Sequence, residues 1–339
     1  MHNCDTVAKS NNLLEVKNLK KYFQSRSGVF SSSKKQFKAV NDVSFNIKTG
    51  EILGLVGESG CGKSTTGKSI LKLIEPTGGS VIFQGKTIFD VENKIYMPKN
   101  ELISLRRDFQ FIFQDPYASL NPRMSVEKIV SEGIKKHSVV PKNEIRHKCE
   151  EILGLCGLAK SDISKFPNEF SGGQRQRIGI ARALAVNPKF IVCDEPTAAL
   201  DVSIQAQILN LMLDLKDKFQ LTYLLISHNL EVVRYFCDSI CVMYLGKIVE
   251  KASTKTLYDN PLHPYSKALI SCIPKKHPCE KREKIILTGA VPSASDIPSG
   301  CRFHTRCPYK GKCCKLCEPE LKEVMPGHFV ACHKALQLL

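Results

Sequence analysis

The sequence predicts an α/β fold, a core on a mainly parallel sheet to which antiparallel β and helical parts are added, followed by a small Cys-rich C-terminal domain. Three observations predict it. An apolar run at 52–56 leads into Gly57-Glu-Ser-Gly-Cys-Gly-Lys-Ser-Thr-Thr, where Gly57, Gly62, Lys63 and Ser64 have the spacing of a phosphate-binding loop between a strand and a helix. Further apolar runs at 190–194 and 222–226 have the length of strands buried on both faces, with helical spacing between them. Beyond residue 261 prolines and lysines break the alternation, and Cys301, Cys307, Cys313, Cys314, Cys317 and Cys332 crowd the C-terminal end.

At 339 residues the chain exceeds the roughly 250–300 over which one core grows, so two units are expected: a nucleotide-binding domain at 13–260, with a helical subdomain at about 115–182, and an extension at 261–339. Lys and Arg number 49 against 33 Asp and Glu, and the net charge of +16 calls for an anionic partner: nucleotide, nucleic acid or an anionic membrane face. No stretch approaches the roughly 18 apolar residues of a membrane span, and the first twelve residues lack a signal peptide's apolar core. The expected setting is the cytosol or a membrane surface, where thiols stay reduced. The scattered cysteines, such as Cys193, Cys237 and Cys241, then read as small buried hydrophobes.

In chain order, 14–19 alternates as a strand does, and Lys20-Lys21-Tyr22-Phe23 follows. Tyr22 is the candidate to stack on a nucleotide base; alternatively it is a half-buried aromatic at a strand end. A serine-rich, basic insertion at 24–38 precedes a second alternating strand at 39–47. After the phosphate loop, 65–74 has helical spacing up to Pro76-Thr77-Gly78-Gly79, and 80–89 reads as a hairpin around Gln84-Gly85. A strand at 109–113 stops at Gln114 before the proline-bounded loop 115–122, which leaves an amide at the sheet edge to meet a metal or a water. Residues 125–157 read as inserted helices with a loop near Pro141.

Ser171 stands where an N-cap belongs before a helix at 175–185, and Gly172 and Gly173 make that helix start a second anion site. The strand at 190–194 ends in Asp194 and Glu195, at the strand end where open α/β sheets bind ligands. Ala199-Leu200-Asp201 precedes a helix to 218, the strand at 222–226 ends in Ser227-His228, and a strand at 239–244 turns at Gly246. The proline-spaced stretch 261–278 reads as a linker.

These residue types suit a nucleoside triphosphate. Backbone N–H groups from Ser59 through Gly60, Cys61 and Gly62 to Thr65 cradle the β-phosphate, Thr65 lies near the α-phosphate, Lys63 bridges β and γ, and the Ser64 hydroxyl ligates Mg²⁺. Asp194 orders a water on Mg²⁺, Gln114 meets the metal, Glu195 polarises the attacking water and His228 contacts the γ-phosphate. The alternatives from spacing alone are a solvated carboxylate at 195 and a satisfied histidine at 228.

Taken together, the phosphate loop, Gln114, Ser171-Gly172-Gly173-Gln174, Asp194-Glu195, Asp201 and His228 resemble, in order, the Walker A, Q-loop, signature, Walker B, D-loop and switch histidine of ABC-transporter ATPases. The stretches 113–124, 263–269 and 300–333 are similar to the ATPases of peptide and nickel importers, and Gly-Cys-Gly at 60–62 with the insertion at 24–38 resembles the second of their two unlike ATPases. Phe170 departs from the leucine that commonly opens the signature, and both are bulky and apolar.

The resemblance implies a transport-coupled ATPase at the cytoplasmic membrane face. It implies a signature that acts in trans on a partner's ATP, a second and non-identical ATPase subunit, two permease subunits and a solute-binding protein, with no nucleic acid. The substrate expected is a peptide; nickel or glutathione import, or a soluble ABC ATPase outside transport, are the alternatives. Cys301, Cys307, Cys314 and Cys332 resemble the four-cysteine set that holds a [4Fe–4S] cluster in peptide-importer ATPases, with Zn²⁺ as the other group four thiolates suit and Cys313 competing with Cys314 for the third place.

Overall fold

The computed structural model describes residues 11–24, 36–273 and 284–337; most of the insertion at 24–38 and the later part of the 261–278 stretch lie outside them. Among the described residues thirteen strands run in chain order β1 (Asn12–Gln24), β2 (Gln36–Lys48), β3 (Ile52–Val56), β4 (Gly78–Phe83), β5 (Lys86–Asp90), β6 (Ile95–Tyr96) and β7 (Phe109–Ile112). They continue as β8 (Phe190–Asp194), β9 (Thr222–Ser227), β10 (Ser239–Tyr244), β11 (Lys247–Ser253), β12 (Lys322–Met325) and β13 (His328–Val330). One antiparallel sheet has the order β2-β1-β4-β5-β6, and a second, mixed sheet has the order β12-β13-β11-β10-β3-β9-β8-β7.

The second sheet is parallel from β10 to β7, and β3, β8 and β9 are buried at every position. Alternation divides their side chains between two cores. Ile52, Val56, Ile191, Cys193, Tyr223 and Leu225 join the core that includes the inserted helices. Leu53, Leu55, Phe190, Val192, Leu224 and Ile226 join the core shared with the antiparallel sheet. The expected architecture is therefore present, and the parallel strands read as continuous apolar runs because both faces are covered.

Local chemistry accounts for the ends of elements. The helix Lys63–Ile70 is shorter than its apolar spacing suggests, because Lys72 adopts φ 52° and turns the chain left-handed. Gln84 and Gly85, at φ 49° and 76°, make the tight turn of the β4–β5 hairpin. In the inserted region, the helix Val126–His137 is capped by Ser125 and buries Val126, Ile129, Val130 and Ile134, one face at helical spacing.

The stretch after 261 differs from the expected linker. Pro264–Ser271 is a helix, capped by the His263 side chain, and it buries Tyr265, Ala268 and Ile270. The tail behind it is also joined to the core rather than set apart, since β13 pairs with β11 (Glu250↔Val330, Lys251↔Phe329) and extends the main sheet. Pro264 opens that helix at its first position, where a missing N–H costs nothing.

Candidate active site

The chain leaves β3 and bends through 57–62 into the helix Lys63–Ile70. Gly57 (φ 152°) and Gly62 (φ 107°) are pressed against neighbouring backbone: a Cβ at Gly57 falls 2.2 Å from Met243 O, and one at Gly62 falls 2.1 Å from Ala39 O. Any side chain there displaces β10 or β2, so these glycines answer to packing as well as to backbone angle. Lys63 is buried, and its ammonium donates to Gly57 O (2.8 Å) and Glu58 O (3.0 Å).

Ser64 Oγ donates to Asp194 Oδ1 at 2.7 Å, which joins the helix start to the end of β8. Burial raises the Asp194 pKa, with the Ser64 hydrogen bond acting in the other direction. Glu195 takes φ 46°, and its N–H bonds Ile226 O at 2.9 Å, anchoring the strained residue to β9. One oxygen of its carboxylate accepts from Gln114 Nε2 and the other faces His228 Nδ1, each at 2.9 Å. Gln114, Glu195 and His228 line a cleft of about 530 Å³ together with Lys63, Ser64 and Thr65. Three strand ends thus deliver an amide, a carboxylate and an imidazole to the mouth of one phosphate loop.

The matching families are "ABC transporter", over residues 40–198, and "Oligopeptide/dipeptide transporter, C-terminal region", over 249–314. The oligopeptide transport ATP-binding protein AppF of Bacillus subtilis is 50% identical, over 97% of this chain and 99% of that protein. The oligopeptide transport ATP-binding protein OppF of the same organism is 48% identical, over 95% and 97%. The chain belongs to the ABC transporter ATPases. Among solved structures, cbiO1 of Clostridium perfringens is similar at TM-score 0.61 and 27% identity, over 74% of this chain and 92% of that one. An ATP-binding cassette in a dimeric post-hydrolysis state with ADP and Pi is similar at TM-score 0.61 and 30% identity, over 71% and 98%. As an ABC ATPase the chain hydrolyses ATP.

The remaining sequence candidates fall in three places. In this ABC ATPase Tyr22 pairs with Lys38 in the β1–β2 ladder; its hydroxyl bonds Asn41 and the Lys38 ammonium lies 5.5 Å from its ring centre. The aromatic that lines the cleft is Phe37, which sequence reading missed because it sits at the end of the basic insertion. The signature lies away from that cleft. Ser171 caps the helix Gly172–Leu184 in a reciprocal box with Gln174, Gly173 abuts Ile204, and exposed Asp201 caps the helix Val202–Phe219 through its backbone position alone. None of these residues lines the phosphate-loop cleft.

Cys301, Cys307, Cys314 and Cys332 line one small cavity of about 10 Å³, while Cys313 and Cys317 are exposed and outside it. Burial, reinforced by the three neighbouring thiols, pushes Cys301 up to about 12. Among the described residues no three His, Cys, Asp or Glu side chains form a ready metal-ligand set, so the thiols share a cavity without being closed around a point. No helix among the described residues is long and apolar enough to cross a membrane.

Proposed function

We propose that the chain is the energy-coupling subunit of a peptide importer, working as one half of an ATPase pair on two permease subunits at the cytoplasmic membrane face, with a solute-binding protein delivering the peptide. The observation that carries the catalytic reading is the Glu195 carboxylate held between Gln114 and His228 at the mouth of the phosphate loop. That grip aims the carboxylate at a water in line with the γ-phosphate, a positioning role worth roughly 10²–10⁴-fold. Lys63 and the loop N–H groups bind the phosphates, and Ser64 and Asp194 offer hard oxygens suited to Mg²⁺, with Gln114 alongside. Mg²⁺, when bound, supplies charge neutralisation on the β- and γ-phosphates.

The signature's distance from the cleft supports its acting in trans, with Ser171 and Gly173 capping ATP on the partner. Permease docking has a separate place. A groove of about 610 Å³ beside β7 is lined by Leu73, Phe109, Phe111, Phe113, Ile129 and Arg182. Phe113 is partly exposed and directly precedes Gln114, so a helix seated in the groove bears on the residue that grips Glu195.

The Glu195→Gln variant tests the catalytic assignment: it retains ATP binding, accumulates as a closed pair with its partner ATPase, and loses hydrolysis by about 10²-fold or more. Normal turnover by that variant overturns the assignment. For the cysteine cavity we propose a [4Fe–4S] cluster on Cys301, Cys307, Cys314 and Cys332, with Zn²⁺ as the alternative, because four thiolates suit either. Stoichiometric iron and acid-labile sulfide in the isolated protein support the cluster, zinc without sulfide supports the alternative, and neither overturns both.

A further inference from the structure

The second residue of the phosphate loop, Glu58, is held at two points by residues beyond 261. Its carboxylate receives both terminal nitrogens of Arg306, at 2.9 and 3.2 Å, and its N–H donates to the Tyr265 hydroxyl at 2.8 Å. Its third polar group, the carbonyl, accepts from Lys63 Nζ at 3.0 Å. The Arg306 side chain is 8% exposed. A planar two-point pair of this kind fixes orientation as well as distance.

Arg306 directly precedes Cys307, in the turn that begins at Cys301, and both cysteines line the thiol cavity. The turn is tight: His304 N bonds Cys301 O, Arg306 N bonds Phe303 O, and Cys301 N bonds Cys314 O. Phe303 packs on Tyr244 and Tyr265 with ring centres 5.3 and 5.5 Å away, so the turn is wedged against the residue that holds the Glu58 N–H. A rearrangement of Cys301 and Cys307 shifts the turn that carries Arg306, and a displaced Arg306 frees the Glu58 carboxylate beside the carbonyl that Lys63 bonds, while Tyr265 keeps the Glu58 N–H.

We propose that Arg306 is a positioning residue that couples the four-cysteine cavity to the phosphate loop, so that the chemical state of the thiols sets ATP affinity and bound ATP alters the thiols. The coupling rests on the reading of the loop as the ATP cradle. Linkage makes the coupling reciprocal at equilibrium, so a state of the thiols that weakens ATP binding is one that bound ATP disfavours.

The test uses the full chain, a fluorescent ATP analogue and iodoacetamide, with labelling of Cys301, Cys307 and Cys332 followed by peptide mass spectrometry. In the wild type, nucleotide changes the labelling rate of these cysteines by at least about fivefold, and the labelled chain binds nucleotide measurably more weakly. In Arg306→Gln both effects vanish, while Arg306→Lys restores part of them. Glu58→Gln, which breaks the same pair from the other side, gives the same loss and serves if the arginine variant does not fold. Nucleotide binding by the wild type with unchanged labelling, or coupling that survives in both variants, overturns the proposal alone. A wild-type chain that binds no nucleotide overturns the cradle assignment with it.

Discussion

Asp194 shows how a candidate site residue strains against the fold that holds it. Burial raises its pKa, so folding favours the protonated acid and the stability tied to it is full below the ordinary carboxylate range. That stability is lost as pH rises through the raised folded value, and at neutral pH the charged form is carried at a cost, offset in part by Ser64. Asp194→Asn removes the charge and leaves an oxygen to accept from Ser64. The variant is expected to melt a few degrees higher at pH 7 in calorimetry, with the gain shrinking on acidification, and to lose Mg²⁺-dependent hydrolysis by about 10²-fold. A lower melting temperature at pH 7 contradicts the sign.

At the scale of elements, register decides which aromatic reaches the cleft. In the β1–β2 ladder Tyr22 faces Lys38 and Phe23 faces Phe37, and successive side chains point to opposite faces. The Phe23 and Phe37 rings lie 6.3 Å apart, and Phe37 reaches the cleft while the Tyr22 hydroxyl turns to Asn41. We expect Phe37→Ala to weaken ATP binding about 5- to 150-fold, the worth of roughly 1–3 kcal/mol for an aromatic stacked on a base, and Tyr22→Ala to weaken it less. Equilibrium titration decides it, and the reverse order restores Tyr22 as the base contact. Sequence pattern located both strands but not their pairing offset, because the register shifts within the ladder are set by bulges that alternation alone does not reveal.

On the scale of the whole molecule, the tail is clasped to the core by a buried carboxylate. Glu250 on β11, fully buried, accepts from Leu262 N (2.7 Å) and His263 N (3.0 Å), and His328 Nε2 lies 2.7 Å from it. Burial pushes His263 down to about 4 against the opposing pull of the Glu250 charge, and it stays neutral at physiological pH. Removing the imidazole leaves a buried acceptor short of a partner. His328→Ala is expected to cost about 1–3 kcal/mol in urea unfolding, without changing the residues at the ATP cleft. An unchanged unfolding midpoint argues that the His328 contact to Glu250 contributes nothing to stability.

The sequence by itself determined the parallel core, the order of the ATP-site motifs and the chemistry each residue type brings. These are local properties: a glycine pattern, a capping serine or a strand ending in two acids carries its meaning within a few neighbours. Only the tertiary structure decided that Gln114 grips Glu195 across 81 positions, that Cys314 rather than Cys313 lines the thiol cavity, and that Arg306 holds Glu58 across 248. It also turned the part of an apparent linker at Pro264–Ser271 into a buried helix and an appended tail into two strands of the main sheet. Contacts of that span depend on which sheet edges and turns come to lie together, and no spacing along the chain encodes that meeting.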